Sequence, residues 1–312
     1  MAHWWVARTQ GAKAWPESCN EGSILTQPTL LRTRFAPSPS GLLHLGHAAS
    51  ALCAHSWAVQ HDAEFVLRIE DIDHGRCKPE FEGAIFEDLH WLGIRWLEPV
   101  RRQSEHLEAF AKALDVLRAQ GVLYRCFLTR REVMAASASA PHGAADVYLG
   151  PDQPVSASAE ATRLRAGDPF AWRISLRVAE DVLGSLWDDL EWQETGAGPA
   201  GEAGLIKACP ERLGDVILAR KDIATSYHLA VTHDDAAQGI THVIRGLDLF
   251  ESTHIHVLLQ ALLGLATPVY HHHGLLRDTQ GARLAKRDGA TSLQALRNAG
   301  HSPSQVCQMA KL

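Results

Sequence analysis

Two spacings of apolar residues alternate along the first part of the chain. Short apolar runs of strand length occur at 33–36 and 65–69, and helical spacing follows over about 46–60, after Pro79 and over 104–120. Proline suits the first turn of a helix because its missing N–H would have no partner there. Strands that alternate with helices predict an α/β fold with a doubly wound parallel sheet.

The same alternation returns near the C-terminal end. Strands are predicted at 214–219 and 241–245, and a helix is predicted over 226–238. Another helix is expected to begin with Ser252 or Thr253 as its N-cap, since a hydroxyl can accept from the first free N–H groups. The two halves of the chain therefore contribute to one sheet.

Stretches rich in Ala, Ser, Gly and Pro separate these halves, which indicates connecting loops and an inserted subdomain. We predict an N-terminal extension outside the fold (1–32), a first half of the main domain (33–122), an insertion (123–212) and a second half (213–312). No internal repeat is visible.

Composition narrows the functional classes. The chain has 312 residues, of which 46% are hydrophobic and 21% charged, as in ordinary globular proteins. A net charge of −6 argues against a uniformly basic surface that coats nucleic acid. No apolar run is long enough to span a bilayer, and no signal peptide is recognisable. The six scattered cysteines suggest reduced thiols and a cytoplasmic protein: Cys19, Cys53, Cys77, Cys126, Cys209 and Cys307.

The pattern His44-Leu45-Gly46-His47 stands at the predicted start of the second element. Two histidines three residues apart, with a glycine between them, can reach one anion beside a helix N-terminus, whose partial charge is positive. This arrangement suits ATP phosphates, whose charge rises during adenylation. A bare pattern of this kind could also be a histidine-rich turn without a role.

Three motifs in order resemble the glutamyl/glutaminyl branch of the class I aminoacyl-tRNA synthetases: RFAPSPSGLLHLGH at 34–47, LRIED at 67–71 and THVIRGLDL at 241–249. The resemblance extends from Arg32 to about Leu296. It implies a Rossmann-like catalytic domain that joins glutamate to ATP and releases pyrophosphate.

The resemblance also implies a glutamate pocket. Its members would be Arg34, Ala36, Ser38, Glu70, Tyr227 and Arg245. Arg245 would hold the side-chain carboxylate, because a guanidinium can bind a carboxylate through two parallel hydrogen bonds. Glu70 would pair with the α-ammonium group. Without the surrounding motifs, Glu70 or Arg245 could be part of a surface ion pair, and Tyr227 could be a core residue.

A lysine loop, the second signature of the class, is matched by RLAKR at 283–287, although arginine and alanine replace the usual lysine and serine. Lys286 would neutralise the triphosphate, and Mg²⁺ is expected to accompany ATP. His44, Gly46, His47 and Lys286 would thus form the ATP site, with the histidines and Lys286 acting in catalysis.

The chain ends soon after Lys286, so no anticodon-binding domain is expected to follow. This resembles a truncated group within the branch that activates glutamate without tRNA and attaches it to the queuosine base in the anticodon of tRNA(Asp). Val231 agrees, because discriminating glutamyl synthetases typically have asparagine there. The resemblance implies L-glutamate, ATP and tRNA(Asp) as partners, no membrane and a monomer.

Members of this group commonly bind zinc in the insertion. Cys126 and Tyr148 keep two of the four ligand positions, whereas Leu128 and Asp152 replace cysteines. We therefore predict no zinc, and expect apolar packing around Leu128 in its place. The three histidines at 271–273 are interpreted as a strand or loop near the nucleotide, since consecutive side chains point in different directions.

Three alternatives remain open. The chain could be a glutamyl-tRNA synthetase that acts on the tRNA acceptor end, or a catalytically silent paralogue that only binds tRNA. A nucleotidyltransferase of another HxGH family is the third, but it leaves the glutamate-pocket residues unexplained.

Overall fold

The computed structural model describes residues 30–138, 147–151, 155–220, 225–276 and 291–310. Its strands, numbered along the chain, are β1 (Arg32–Phe35), β2 (Glu64–Ile69), β3 (Leu97–Arg102), β4 (Leu123–Cys126), β5 (Ala171–Ile174), β6 (Glu191–Glu194), β7 (Gly204–Lys207), β8 (Ile217–Arg220), β9 (His242–Gly246) and β10 (Val269–His273).

The helices are α1 (Leu45–Gln60), α2 (Pro79–Trp91), α3 (Leu107–Ala119), α4 (Arg130–Ala138), α5 (Ala157–Arg165), α6 (Leu176–Leu183), α7 (Tyr227–Ala237), α8 (Ser252–Leu263), α9 (Leu293–Asn298) and α10 (Pro303–Met309). Helix α1 packs closely on the sheet because its buried face consists of alanines: Ala48, Ala49, Ala51, Ala54 and Ala58.

Two groups of parallel strands form the main domain. Strands β1, β2 and β3 pair in that order, and β7, β6, β10 and β9 form a second ladder in which only the β6–β7 pair is antiparallel. The two groups of strands meet at β1 and β9, which lie side by side. Here the N–H of Thr241 donates to the carbonyl of Arg32 at 3.0 Å. The predicted α/β architecture with a parallel sheet is confirmed.

A separate antiparallel sheet contains β4, β5 and β8 in that order. The sequence placed the strand at 214–219 in the parallel sheet, and this was wrong, because β8 pairs antiparallel with β5. Conversely, β6 and β7 lie inside the segment predicted as an insertion, yet β6 pairs with β10 of the main domain. The four-part division of the chain stays a prediction.

Most predicted elements in the first and last parts of the chain have their structural counterpart. Helix α8 spans Ser252–Leu263, but its N-cap is Glu251, without a side-chain capping bond, and so the expected hydroxyl cap at Ser252 or Thr253 was wrong. Thr253 is fully buried instead and its hydroxyl serves the site described below. Strand β3 was not predicted from the sequence.

Candidate active site

A cavity of about 270 Å³ opens at the carboxyl ends of β1 and β9, beside the start of α1. This edge of a parallel sheet is where α/β proteins usually bind ligands. Nine residues predicted from the sequence line it: Arg34, Ala36, Ser38, His44, Gly46, His47, Glu70, Tyr227 and Arg245. Lys286, the remaining predicted residue, lies outside the described residues.

The two histidines of the HxGH pattern are fixed by the N-terminus of α1. His44 is the N-cap, and its Nδ1 accepts from the N–H of Gly46 at 3.1 Å. The Nδ1 of His47 accepts from the N–H of His44 at 3.2 Å, and the two ring centroids are 3.9 Å apart. Because both Nδ1 atoms act as acceptors, each neutral ring carries its proton on Nε2. Two ring N–H donors thus accompany the positive end of a helix dipole.

Arg245 is a buried cation whose close partners are neutral. Its Nε donates to Nε2 of His272 at 3.0 Å, Nη2 to the hydroxyl of Thr253 at 2.7 Å, and Nη1 to Nδ1 of His256 at 3.2 Å. The residue is only 4% exposed. Within the described part of the chain, no carboxylate forms an ion pair with Arg245. A buried guanidinium with this environment suits an anionic ligand.

The histidines around Arg245 are held in their neutral form. Burial lowers the pKa of His272 and of His228 to about 4, and burial together with Arg245 places the pKa of His256 well below its usual value. His228 in turn contacts His256, with Nδ1 3.3 Å from Nε2. Neutral imidazoles can accept from the guanidinium, whereas imidazolium ions could not.

A cluster of alternating charges includes two residues that line the cavity, Arg34 and Glu70. Both carboxylate oxygens of Asp235 accept from Arg34, and Oδ1 also accepts from Arg68 Nη1 at 2.8 Å. Arg68 further contacts Glu70, with Nη2 3.3 Å from Oε1. Burial raises the pKa of Glu70, although Arg68 and Arg34 oppose that effect. Arg34 therefore reaches the cavity with one edge of its guanidinium already bound by Asp235, which the sequence did not indicate.

Tyr227 stands at the first position of α7, after the N-cap Ser226. Its ring lies edge-on to those of His228 and His256, with centroids 5.6 Å apart in both cases. Burial raises the pKa of Tyr227 to about 12, so the phenol keeps its proton and can act as a hydrogen-bond donor.

A second cavity of about 380 Å³ adjoins the first. The two share Ser38, Glu70 and Tyr227, and the second is lined further by polar residues that include Asp73, Arg76, Gln103 and Arg220. A molecule in the second cavity would therefore lie next to one bound in the first.

Of the four positions that correspond to zinc ligands in the resembled group, the structure describes three. Cys126 and Tyr148 are buried, whereas Leu128 is 41% exposed, so the apolar packing expected around Leu128 was wrong. Asp152 lies outside the described residues. Among the residues that the structure does describe, no group of three or more His, Cys, Asp or Glu is placed to hold a metal ion.

The histidine triplet belongs to β10, and its side chains diverge as expected. His271 lies 3.1 Å from the hydroxyl of Thr195, and His273 contacts Ser50 of α1 at 2.8 Å. His272 is the register partner of Arg245 on the neighbouring strand and accepts from its Nε. Sequence reasoning missed His272 and Asp235 as site residues, and the run of three histidines was the one available signal.

A parallel α/β sheet with paired histidines at a helix N-terminus and a buried arginine beside them is the arrangement that the class I synthetase motifs predicted. The family described as "tRNA synthetases class I (E and Q), catalytic domain" matches residues 30–312, and the chain belongs to it.

Similar curated proteins include glutamyl-Q tRNA(Asp) synthetases and glutamate–tRNA ligases. The glutamyl-Q tRNA(Asp) synthetase of Rhodobacter capsulatus is 48% identical over 280 residues, which cover 88% of this chain and 97% of that protein. The protein of the same name from Nocardia farcinica is 40% identical, with 88% and 81% covered. The glutamate–tRNA ligase of Aquifex aeolicus is 35% identical, and here 88% of this chain covers 55% of the relative.

The fold also matches solved structures. A crystal structure of glutamate-tRNA synthetase from Elizabethkingia anophelis has a TM-score of 0.72 at 25% identity, over 91% of this chain and 61% of that one. The chain thus spans about three fifths of this solved relative. Across the described ranges, no helix combines the length and apolar character required to cross a membrane.

Proposed function

We propose that the chain activates L-glutamate with ATP, without tRNA, and transfers the glutamyl group to the queuosine base in the anticodon of tRNA(Asp). The observation that carries the first step is Arg245, a buried guanidinium with neutral partners in the cavity that also contains the HxGH histidines. An amino acid with a side-chain carboxylate supplies the missing anion. Glutamine, which has no charge there, would leave the cation uncompensated.

The proposed roles of the other residues follow from their positions. Glu70, close to Arg34 and Arg68, receives the α-ammonium group, and Tyr227 closes the pocket with its phenol. The backbone at Ala36 and the hydroxyl of Ser38 contribute further hydrogen bonds. The free edge of Arg34 accompanies the α-carboxylate, which is the nucleophile.

In this proposal the Nε2–H groups of His44 and His47 face the triphosphate. Lys286 would neutralise part of its charge, and Mg²⁺ would accompany ATP. An oxygen of the glutamate α-carboxylate attacks the α-phosphorus of ATP, and the bond to pyrophosphate breaks. In the second step a nucleophile of the acceptor base attacks the carbonyl carbon, loses its proton and displaces AMP. Donors aimed at the developing phosphate charge are expected to supply much of the rate enhancement.

The acceptor is supported by two observations. Relatives named glutamyl-Q tRNA(Asp) synthetase are 35–48% identical, and three glutamate–tRNA ligases are 35–36% identical, so the higher identities belong to the first name. The second cavity offers polar groups beside the glutamate pocket, where an unstacked base could enter. The described cysteines are all free thiols, which supports action in the cytoplasm. We also propose a monomer, as the family resemblance implies.

Transfer of labelled glutamate to tRNA(Asp) that carries queuosine, beside the unmodified tRNA, tests the proposal. Labelling of the modified tRNA alone is expected. Equal labelling of both would support the alternative of a glutamyl-tRNA synthetase acting on the acceptor end. Exchange of pyrophosphate into ATP that depends on glutamate and needs no tRNA is also expected, and its absence would favour the silent paralogue.

A further inference from the structure

Three buried side chains on neighbouring strands form one row that ends at Arg245. Strand β9 carries Arg245, β10 carries His272, and β6 carries Glu194. In the parallel register His272 stands beside Arg245. The ring of His272 bridges the other two, with Nδ1 2.6 Å from Glu194 Oε2 and Nε2 3.0 Å from Arg245 Nε. Both Glu194 and His272 are almost completely buried.

The surroundings of Glu194 fix which nitrogen of His272 carries the proton. Oε1 accepts from the main-chain N–H groups of His272 and Gly196 at 2.9 and 2.8 Å, and Oε2 accepts from the indole of Trp192 at 3.3 Å as well as from the ring. Burial alone would raise the pKa of Glu194, but these bonds from His272 hold that pKa below its usual value. An ionised carboxylate only accepts, so the proton of His272 lies on Nδ1 and the lone pair of Nε2 faces Arg245.

Gly196 is required for this contact. A Cβ at that position would overlap the main chain of His272 and lie 3.0 Å from Glu194 Oε1. Any side chain there would push the strand that carries Glu194 away from β10. The strand register pairs Glu194 with Tyr270, two residues before His272, and the glycine permits the close approach that brings the Glu194 carboxylate to His272.

We propose that Glu194 and His272 are positioning residues for substrate selection: Glu194 sets the tautomer of His272, and His272 then orients Arg245 towards the side-chain carboxylate of the amino acid. This inference rests on the proposed function and assigns glutamate selectivity to residues outside the pocket wall.

The donor inventory of Arg245 agrees with that assignment. A guanidinium has five N–H groups. One N–H each on Nε, Nη1 and Nη2 is used by His272, His256 and Thr253. The two that remain are the number a carboxylate needs for a bidentate pair. The negative charge of Glu194 is separated from the guanidinium by a neutral ring, so it stabilises the cation without occupying those two donors.

Glu194→Gln tests the proposal. The amide oxygen would replace Oε1 opposite the two main-chain N–H groups, and the amide N–H₂ would then face Nδ1 of His272. The ring would have to carry its proton on Nε2, directed at the Nε–H of Arg245. We expect the KM for glutamate to rise about tenfold or more, because a hydrogen bond to a buried charge is lost. The KM for ATP and kcat should change far less.

The matched control is Glu191→Gln, which removes a carboxylate from an exposed position of the same strand. Pyrophosphate exchange at varied glutamate and varied ATP provides both KM values, and thermal unfolding shows whether each variant is folded. Nitrogen-15 NMR of histidine-labelled wild type is expected to show His272 protonated on Nδ1. If Glu194→Gln does not fold, Glu194→Asp, which keeps the charge, replaces it and should show a smaller rise in KM.

Two results would overturn the inference: an unchanged KM for glutamate in the folded variant, or a wild-type His272 protonated on Nε2. Absence of glutamate-dependent exchange in the wild type is a different result. It would contradict the proposed function and therefore this inference as well. An active variant with an unchanged KM for glutamate would contradict this inference alone.

Discussion

Both carboxylate oxygens of Asp235 contact the guanidinium of Arg34, with Oδ1 3.0 Å from Nε and Oδ2 3.3 Å from Nη2. Burial alone would raise the pKa of Asp235, but Arg34 and Arg68 outweigh it and hold that pKa below its usual value. The carboxylate is therefore ionised at neutral pH. It orients Arg34 and balances part of two buried positive charges.

Asp235→Asn should lower the free energy of unfolding by about 3 kcal/mol, because removal of one partner leaves buried charges without compensation. Urea denaturation measures this. Asp181→Asn, at an exposed helical position, is the control and should change stability little. Equal midpoints for the two variants would show that the cluster does not depend on the Asp235 charge.

Arg245→Lys should reduce kcat/KM for glutamate at least about 100-fold. A single ammonium group cannot replace a guanidinium that donates to three protein acceptors and to the substrate carboxylate. The measurement is pyrophosphate exchange at varied glutamate. Arg212→Lys, at an exposed residue, is the control. If the lysine variant keeps a near wild-type kcat/KM, the side-chain carboxylate of the substrate does not bind at Arg245.

His44 is the N-cap of α1 and lines the cavity, and the proposed function gives its ring a second role as an N–H donor to ATP. Asparagine can cap a helix but has no imidazole, so His44→Asn should keep stability and lose about 100-fold or more in kcat. His44→Ala should lower kcat by the same factor and should also lower the free energy of unfolding by about 1 kcal/mol. Comparison of kcat with thermal unfolding separates the roles, and retained kcat in His44→Asn would exclude the donor role.

The elements that could be predicted from the sequence are those with a local signal. Helix α8 has continuous helical spacing, and its predicted bounds agree with the structure. Strand β3 has Pro99 within it, and its Arg101 is paired with Asp234, so its polar residues hide the strand pattern. Strand β6 alternates exposed and buried residues, and Glu194 is one of the buried ones. Because a hydrophobicity pattern assigns a glutamate to the solvent side, this strand was not recognised from the sequence.

The same limit applies to the site. Residues within continuous motifs, such as those at 34–47, could be predicted, and the structure places them in one cavity. Asp235 is 201 residues from Arg34 and Glu194 is 78 residues from His272 along the chain. Their significance comes from neighbours across the sheet, which only the tertiary fold brings together.

Asp88 of α2 provides a test of pH-dependent stability. Its carboxylate is fully buried, and neither oxygen has a hydrogen-bond partner among the described residues, although Arg297 Nη2 of α9 is 3.6 Å away. Burial raises the pKa of Asp88 to about 6, above its usual value of 3.8. The native state therefore holds this proton more tightly than the unfolded chain. The stabilising contribution is fully present below pH 3.8 and is lost as the pH rises through 6.

Asp88→Asn should therefore raise the free energy of unfolding by about 3 kcal/mol at pH 8, where the wild-type carboxylate is ionised, and by less than about 1 kcal/mol near pH 4. Thermal unfolding across this range measures the difference between variant and wild type. That difference isolates Asp88 from the buried histidines, whose lowered pKa values destabilise the fold in the opposite direction, as the pH falls. Glu87→Gln, at an exposed partner of Arg297, is the control and should change stability by less than about 0.5 kcal/mol at either pH. A gain from Asp88→Asn that is the same at both pH values would show that the buried carboxyl group does not titrate in this range.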